Sequence, residues 1–334
     1  MDGDALGAAC EQVLRRVRSD PAYAHTSHLL VQVAGAVVVD EHLRGPQVAD
    51  VFSVTKTVLA TLVGIAVRRG HVPALTSPVT QVLPELLDTP VRRHTWEHLL
   101  TMTRGCATDG PYDVDEVTAL GSGQLRRIAE APQEAPPGAE FRYDNGSSHL
   151  LATALDRVLP VPLADFADEA LLSPLGVRDR RWLTDADGTP WGFGHLSVSA
   201  DALARLGHLW LRGGAIGGEQ LVDPGFWSAL TTATSPGGPP EELPYGYLCW
   251  LDGDGLLAGG WAGQHVLVRP RADAVVVVTG DPGFRFGPPP SDDLPQGWRP
   301  ALDLVRAHVL PVLEPASAGS PWAGRPAGAA GPRR

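Results

Sequence analysis

Ser53 and Lys56 stand three residues apart in Phe52-Ser53-Val54-Thr55-Lys56, and Lys56 is the single lysine among 27 basic residues. Every other one is an arginine, a side chain that keeps its proton at any working pH, whereas a desolvated lysine can lose it. The one position where arginine is not used is therefore expected to need a neutral amine. A serine hydroxyl is a weak nucleophile until a neighbouring base takes its proton. On a helix, residues three apart share a face, so Lys56 is within reach of the Ser53 oxygen. The run from Thr57 to Val67 is apolar nearly all round, which predicts a buried helix, closed by Arg68, Arg69 and Gly70. Ser53 then opens that helix, where free backbone N–H groups and the helix dipole favour developing negative charge. Burial also drives the amine toward its neutral form, as a general base requires. These features suit acyl transfer through a serine ester.

Elements that must position this pair are legible on either side. Leu29 to Val33 and Ala36 to Val39, joined by Ala34-Gly35, read as a β-hairpin. The middle of the chain reads as helices and loops. Thr95 caps a helix carrying Trp96, His98, Leu99 and Leu100, and further helices are expected at Gln124–Ala131, Ser148–Val158 and Leu163–Leu172. Ser199 opens another, which ends at Gly213-Gly214. Strand patterns return at Gly246–Trp250, His265–Val268 and Ala274–Thr279, followed by a helix from about Ala301 to Leu313. Strands at both ends with helices between predict an α+β fold: one antiparallel sheet built from both chain ends, flanked by helices, with a mainly helical lobe inserted. We expect a catalytic domain over 11–314, with a sheet lobe at about 11–52 and 186–314 and a helical lobe at about 53–185. Residues 315–334, rich in Pro, Ala, Gly and Ser, read as a disordered tail.

Composition narrows the partners. A hydrophobic fraction of 43% with 19% charged residues is that of a soluble globular protein. A net charge of -11 argues against nucleic acid and anionic membrane surfaces as partners. No apolar run has the length of a membrane span. Three scattered cysteines give neither a disulfide framework nor a zinc site, and the acidic start Met1-Asp2-Gly3-Asp4 does not resemble a secretory signal, so a cytoplasmic protein is expected. No cofactor or metal is called for. His94-Thr95-Trp96-Glu97-His98 matches a zinc-peptidase pattern, but with Thr95 as a cap His94 falls outside the helix and the two imidazoles cannot share its face. Glycine pairs after Leu211 follow a helix rather than a strand, which excludes a nucleotide fingerprint. Oligomeric state is left open.

With these residues in order, the chain resembles the serine β-lactamase and penicillin-binding-protein superfamily, in its class C β-lactamase-like esterase and amidase branch. The likeness runs from Leu29 to Leu313. Its S-x-x-K motif is Ser53 to Lys56, and its Y-x-N motif is Tyr143-Asp144-Asn145, after Pro136-Pro137-Gly138 and Phe141. The resemblance implies that Tyr143 is the acid/base partner that shuttles the proton, held near its ionised form by Lys56. A phenol beside a lysine cation has a lowered pKa, which agrees. It also implies that Asn145 orients Lys56 and the substrate carbonyl. The third motif, K-T-G or H-x-G in β-lactamases and carboxypeptidases, is replaced by Ala258-Gly259-Gly260. The Trp261 N–H is then the second oxyanion donor beside that of Ser53, with Gly260 allowing close approach. The Trp261 ring either walls the acyl group or packs the sheet. The cation or imidazole that grips a β-lactam or peptide carboxylate is missing, and relatives with an Ala-x-Gly version act on uncharged or small acyl substrates. Three functions follow: a serine hydrolase of a small ester or amide, an acyltransferase on the same Ser-Lys-Tyr machinery, or a catalytically silent binding protein.

Overall fold

The protein is described by a computed structural model covering residues 3–253, 255–284 and 297–314. The segment read as a tail, 315–334, lies outside the described residues. The chain starts with helix α1 (Gly3–Ser19) and a hairpin of β1 (Thr26–Val33) and β2 (Ala36–His42). Its two-residue turn puts Ala34 at φ 50° and Gly35 at φ 78°, the double left-handed corner that matches the twist of the strands. A short strand β3 (Val48–Asp50) leads into α2 (Val54–Arg68). The helical section holds α3 (Trp96–Leu100), α4 (Val114–Thr118), α5 (Gln124–Ala129), α6 (Asn145–Val158) and α7 (Leu163–Ala167). Then come β4 (Arg181–Trp182), β5 (Leu196–Ser199), α8 (Ala200–Leu211), the small hairpin β6 (Ala215–Ile216) and β7 (Glu219–Gln220), and α9 (Pro224–Leu230). The remaining strands are β8 (Ser235–Gly238), β9 (Leu243–Tyr245), β10 (Trp250–Asp252), β11 (Gly255–Gly260), β12 (Gln264–Arg269) and β13 (Ala274–Gly280), before a C-terminal helix α10 over 302–313.

The main sheet has the order β2-β1-β13-β12-β11-β10-β9-β8, antiparallel throughout, so the two chain ends meet where β1 pairs with β13. The β-branched run Val275 to Val278 is buried on both faces, as a central strand between two helical layers must be. Helix α8 covers β1, β12 and β13, α2 reaches β11 and β12, and α1 packs against α10 and touches β2. A second sheet, β3-β5-β4, ties the stretch just before Ser53 to residues 196–199.

One expected strand is different. Residues 246–249 form a tight corner, with Gly246 N–H donating to Cys249 O at 2.9 Å, and only Trp250 onward is strand. The apolar pattern there reflects burial in a turn: Leu248 takes φ 51° and its N–H donates to Leu100 O at 2.9 Å. The predicted helix at 148 begins earlier, at Asn145, and the Thr95 cap forms as a reciprocal pair with His98 at 3.2 Å in each direction.

Helix α2 is buried along its whole length from Val54 to Ala66. Gly64 lets α9 approach it, because a Cβ there would meet Val222 Cγ1 at 2.6 Å and Phe226 Cδ1 at 2.7 Å. Gly64→Val should therefore destabilise the protein by about 1–3 kcal/mol through overpacking, read as a lower urea midpoint; an unchanged midpoint would contradict this close approach.

Candidate active site

Ser53 precedes the first residue of α2, in helical geometry (φ -68°, ψ -8°), and its side chain does not cap the helix. Its oxygen is free for another partner, and Lys56 Nζ is hydrogen-bonded to it at 2.7 Å. A second bond runs from Nζ to the carbonyl of Phe193 at 3.0 Å. Lys56 is 1% exposed, and burial drives its amine well below the ordinary 10.5, against a weaker opposing pull from Asp144. Nζ thus donates to the Phe193 carbonyl and to the serine oxygen, with the hydroxyl proton within its reach.

Tyr143 closes the cluster. Its phenol is near enough to Ser53 for that hydroxyl to pull its pKa down, and Lys56 Nζ stands 4.8 Å from the centre of its ring. Trp250 stacks on it at 5.7 Å with 7° between planes, and Tyr245 meets it edge-on at 6.5 Å. The expectation that Lys56 holds this phenol near its ionised form is corrected here. Burial pushes the Tyr143 pKa up, the Ser53 hydrogen bond only partly offsets this, and the charge of Glu241 pushes it further up. The reason is that desolvation penalises both ions of the pair, so it lowers the pKa of the amine and raises that of the phenol. A neutral amine beside a neutral phenol holds the same number of protons as an ammonium beside a phenolate. The low-dielectric pocket selects the uncharged arrangement.

Asn145 opens α6, and no hydrogen bond joins it to Lys56; that place is taken by the Phe193 carbonyl. Its neighbour Asp144 is the ionised member of the segment. Both of its oxygens engage Arg104, through Nε and through Nη2 at 3.3 Å, and it accepts from Ser147 Oγ at 2.7 Å. The Arg104 guanidinium holds the Asp144 carboxyl below its usual range. Because that charge is already matched, it does little to re-protonate Lys56.

Gly260 ends β11 against the nucleophile: a Cβ there would lie 2.5 Å from Val51 O and 3.2 Å from Ser53 N. The strand backbone thus runs alongside the Ser53 N–H, with Trp261 next in the chain. The Trp261 ring is 44% exposed and contacts Phe52 edge-on at 5.1 Å, forming an aromatic lip rather than sheet packing. The zinc-like pattern is divided between separate partners, His94 bonding Gln133 at 3.0 Å and His98 turning back to Thr95.

Two groups at the site were not singled out by sequence reasoning. Phe193 supplies the lysine's acceptor, and Asp50 braces both sides of the cluster. Asp50 Oδ1 accepts from the N–H groups of Phe52 at 2.7 Å and His195 at 3.1 Å, while Oδ2 meets His195 Nδ1 at 2.9 Å. Phe52 (φ 45°) and His195 (φ 64°) are both left-handed, a conformation that a surrounding network must hold in place. The signal available was Gly192-Phe193-Gly194, a stretch whose glycines mark close backbone approach: a Cβ on Gly192 would run into Ser148 O.

Arg104 and Asp144 are both buried. Arg104→Ala should cost about 3–5 kcal/mol by leaving a carboxylate without its counter-ion, measured by chemical denaturation. A cost near zero would show that this pair does not carry the charge balance under Tyr143.

A family model described as Beta-lactamase matches residues 26–294. Among curated proteins, the chain is 34% identical over 144 residues to Esterase EstB of Burkholderia gladioli, covering 38% of this chain and 36% of that protein. It is 25% identical over 276 residues to the 6-aminohexanoate-dimer hydrolase of Paenarthrobacter ureafaciens, covering 73% of this chain and 69% of that one. Among solved structures, EstCE1, described as a hydrolase with promiscuous acyltransferase activity, superposes with a TM-score of 0.71 at 19% identity, covering 92% of this chain and 99% of that one. Model, relatives and fold agree, and the chain belongs to the Beta-lactamase family.

Proposed function

We propose that the protein is a serine hydrolase of small esters or amides, working through an acyl-Ser53 intermediate. The observation that carries this is the 2.7 Å bond between Ser53 Oγ and a buried amine whose pKa burial drives well below its ordinary value. Lys56 takes the Ser53 proton as Oγ attacks the carbonyl carbon. The oxyanion that forms is received by the N–H groups of Ser53 and Trp261, set side by side by Gly260. Tyr143, neutral and beside Ser53, gives its proton to the leaving oxygen or nitrogen and recovers one from Lys56. Water then repeats the attack on the acyl ester. Asn145, without a bond to Lys56, is left to face the substrate carbonyl. The relatives named esterase and amide-dimer hydrolase support the reaction class. Acyl transfer to an alcohol or amine is a second reading, favoured by the Phe52–Trp261 lip, an apolar seat at the mouth where an organic acceptor can displace water. Three free, buried cysteines support a reducing, cytoplasmic setting, and among the described residues no helix is long and apolar enough to cross a membrane.

Ser53→Ala should lower kcat for an aryl ester by about four orders of magnitude or more. Lys56→Arg should cost about 10²–10⁴-fold, because the positive charge is kept and the base is lost. A fluorophosphonate probe should label Ser53 in the wild type; folded protein that takes no label would defeat the proposal. The pH dependence has a fixed sign. The neutral amine is the working form, so kcat/KM falls as pH drops through the Lys56 pKa, and burial places that acid limb well below 10.5. A rate that keeps climbing until pH 10 would mean that the lysine titrates as if it were in water.

A further inference from the structure

One ionised side chain outside the Ser53–Lys56–Tyr143 cluster leans over the same strand. Glu241 lies in the connection between β8 and β9, and this connection bends back across β11. A Cβ on Gly259 would meet Glu241 Oε1 at 2.8 Å and Cδ at 3.4 Å, so the carboxylate occupies the space that the missing side chain leaves open. Gly259 is the residue before Gly260, whose backbone abuts the Ser53 N–H. The hairpin carrying Glu241 rests on the site as well, since Gly238 lies against the ring of Phe141, two residues before Tyr143.

The carboxylate is ionised and underused. Its nearest partner is His265, the cross-strand neighbour of Gly259, at 3.5 Å. Burial pushes its carboxyl up, but His265 and Arg306 outweigh this and hold it below the usual range, with Asp252 opposing them. Arg306 is itself paired with Asp252 at 3.0 Å, so its charge is largely spent. A carboxylate can accept about four hydrogen bonds, and no described residue other than His265 is within bonding range of this one. The side chain is 17% exposed, enough for a ligand to reach it. Ala258, Gly259 and Gly260 bring no cation to balance it. Its negative charge is felt at the Tyr143 phenol.

We propose that Glu241 is a docking point for a substrate ammonium group, so that the esters or amides turned over here carry a protonated amine laid along β11 beyond the scissile carbonyl. An ammonium offers three donors to the open oxygens of the carboxylate, while a substrate carboxylate at the same place meets a like charge and is rejected. The inference rests on Ser53 as the nucleophile, and it makes the site selective for charge, where the resemblance implied uncharged or small acyl groups.

The test is a matched set of aryl esters with equal chain length: an ω-amino acyl ester, its uncharged alkanoyl counterpart, and an ω-carboxy ester, with a second set carrying the charge on the alcohol. The readout is the ratio of kcat/KM between members, taken for each variant. Wild type should favour the ammonium member of one set by about tenfold, as a charge-assisted contact does. Glu241→Gln should bring that ratio close to one, and Glu241→Lys should turn the preference toward the carboxylate. Equal rates for charged and uncharged members of both sets in wild type, or a preference that survives Glu241→Gln in protein of unchanged circular dichroism, would overturn the proposal. Calorimetry with Ser53→Ala protein and the corresponding ω-amino and alkanoyl anilides reads the same preference without turnover. Loss of the nucleophile reading, seen as unlabelled Ser53, is thereby kept apart from loss of the ammonium site, seen as equal binding of the two anilides.

Discussion

A buried amine with no carboxylate beside it is the constraint on which this site depends. Lysine is costly to enclose as a cation, and the cost falls when it is neutral. The fold leaves Lys56 little inducement to stay charged, since burial outweighs the pull of Asp144. It gives the nitrogen a hydroxyl and a peptide carbonyl as neighbours, and it turns the one nearby carboxylate, Asp144, onto Arg104. Enclosing α2 from Val54 to Ala66 is therefore a chemical act as well as a packing one. The same low dielectric keeps Tyr143 protonated, so a proton acceptor and a proton donor coexist on either side of one hydroxyl.

Ser53 is aimed by strain held in check. Phe52 and His195 each adopt a backbone geometry that non-glycine residues rarely take, and one carboxylate, Asp50, restrains both. The stretch that presents Ser53 and the stretch that presents the Phe193 carbonyl are thus tied to a single anchor, and the small sheet of β3, β4 and β5 fixes that anchor. Geometry between Lys56 and Ser53 is set from outside the pair.

Local spacing carried much of this. Ser53 and Lys56 lie on one helical turn, the hairpin and the β-branched run of β13 repeat with the right period, and Thr95 closes its helix with a side chain three residues away. Such features depend on neighbours in sequence. What escaped depends on neighbours in space. Phe193 reaches Lys56 across 137 residues, and Asp50 reaches His195 across 145. The corner at 246–249 is imposed by a hydrogen bond from Leu248 to Leu100, which no alternation pattern records. The charge state of Tyr143 was inverted for a related reason. Adjacency to a lysine says that two groups interact, but the depth of the pocket decides which of them holds the proton.

The solitary lysine has a consequence for the exterior. With Lys56 enclosed and every other lysine position taken by arginine, no exposed side chain offers a nucleophilic primary amine. An enzyme that handles activated acyl groups generates conditions in which surface amines are slowly consumed by stray acylation. Here the outer shell has nothing of that kind to lose, so repeated exposure to reactive esters leaves its positive charges as they were.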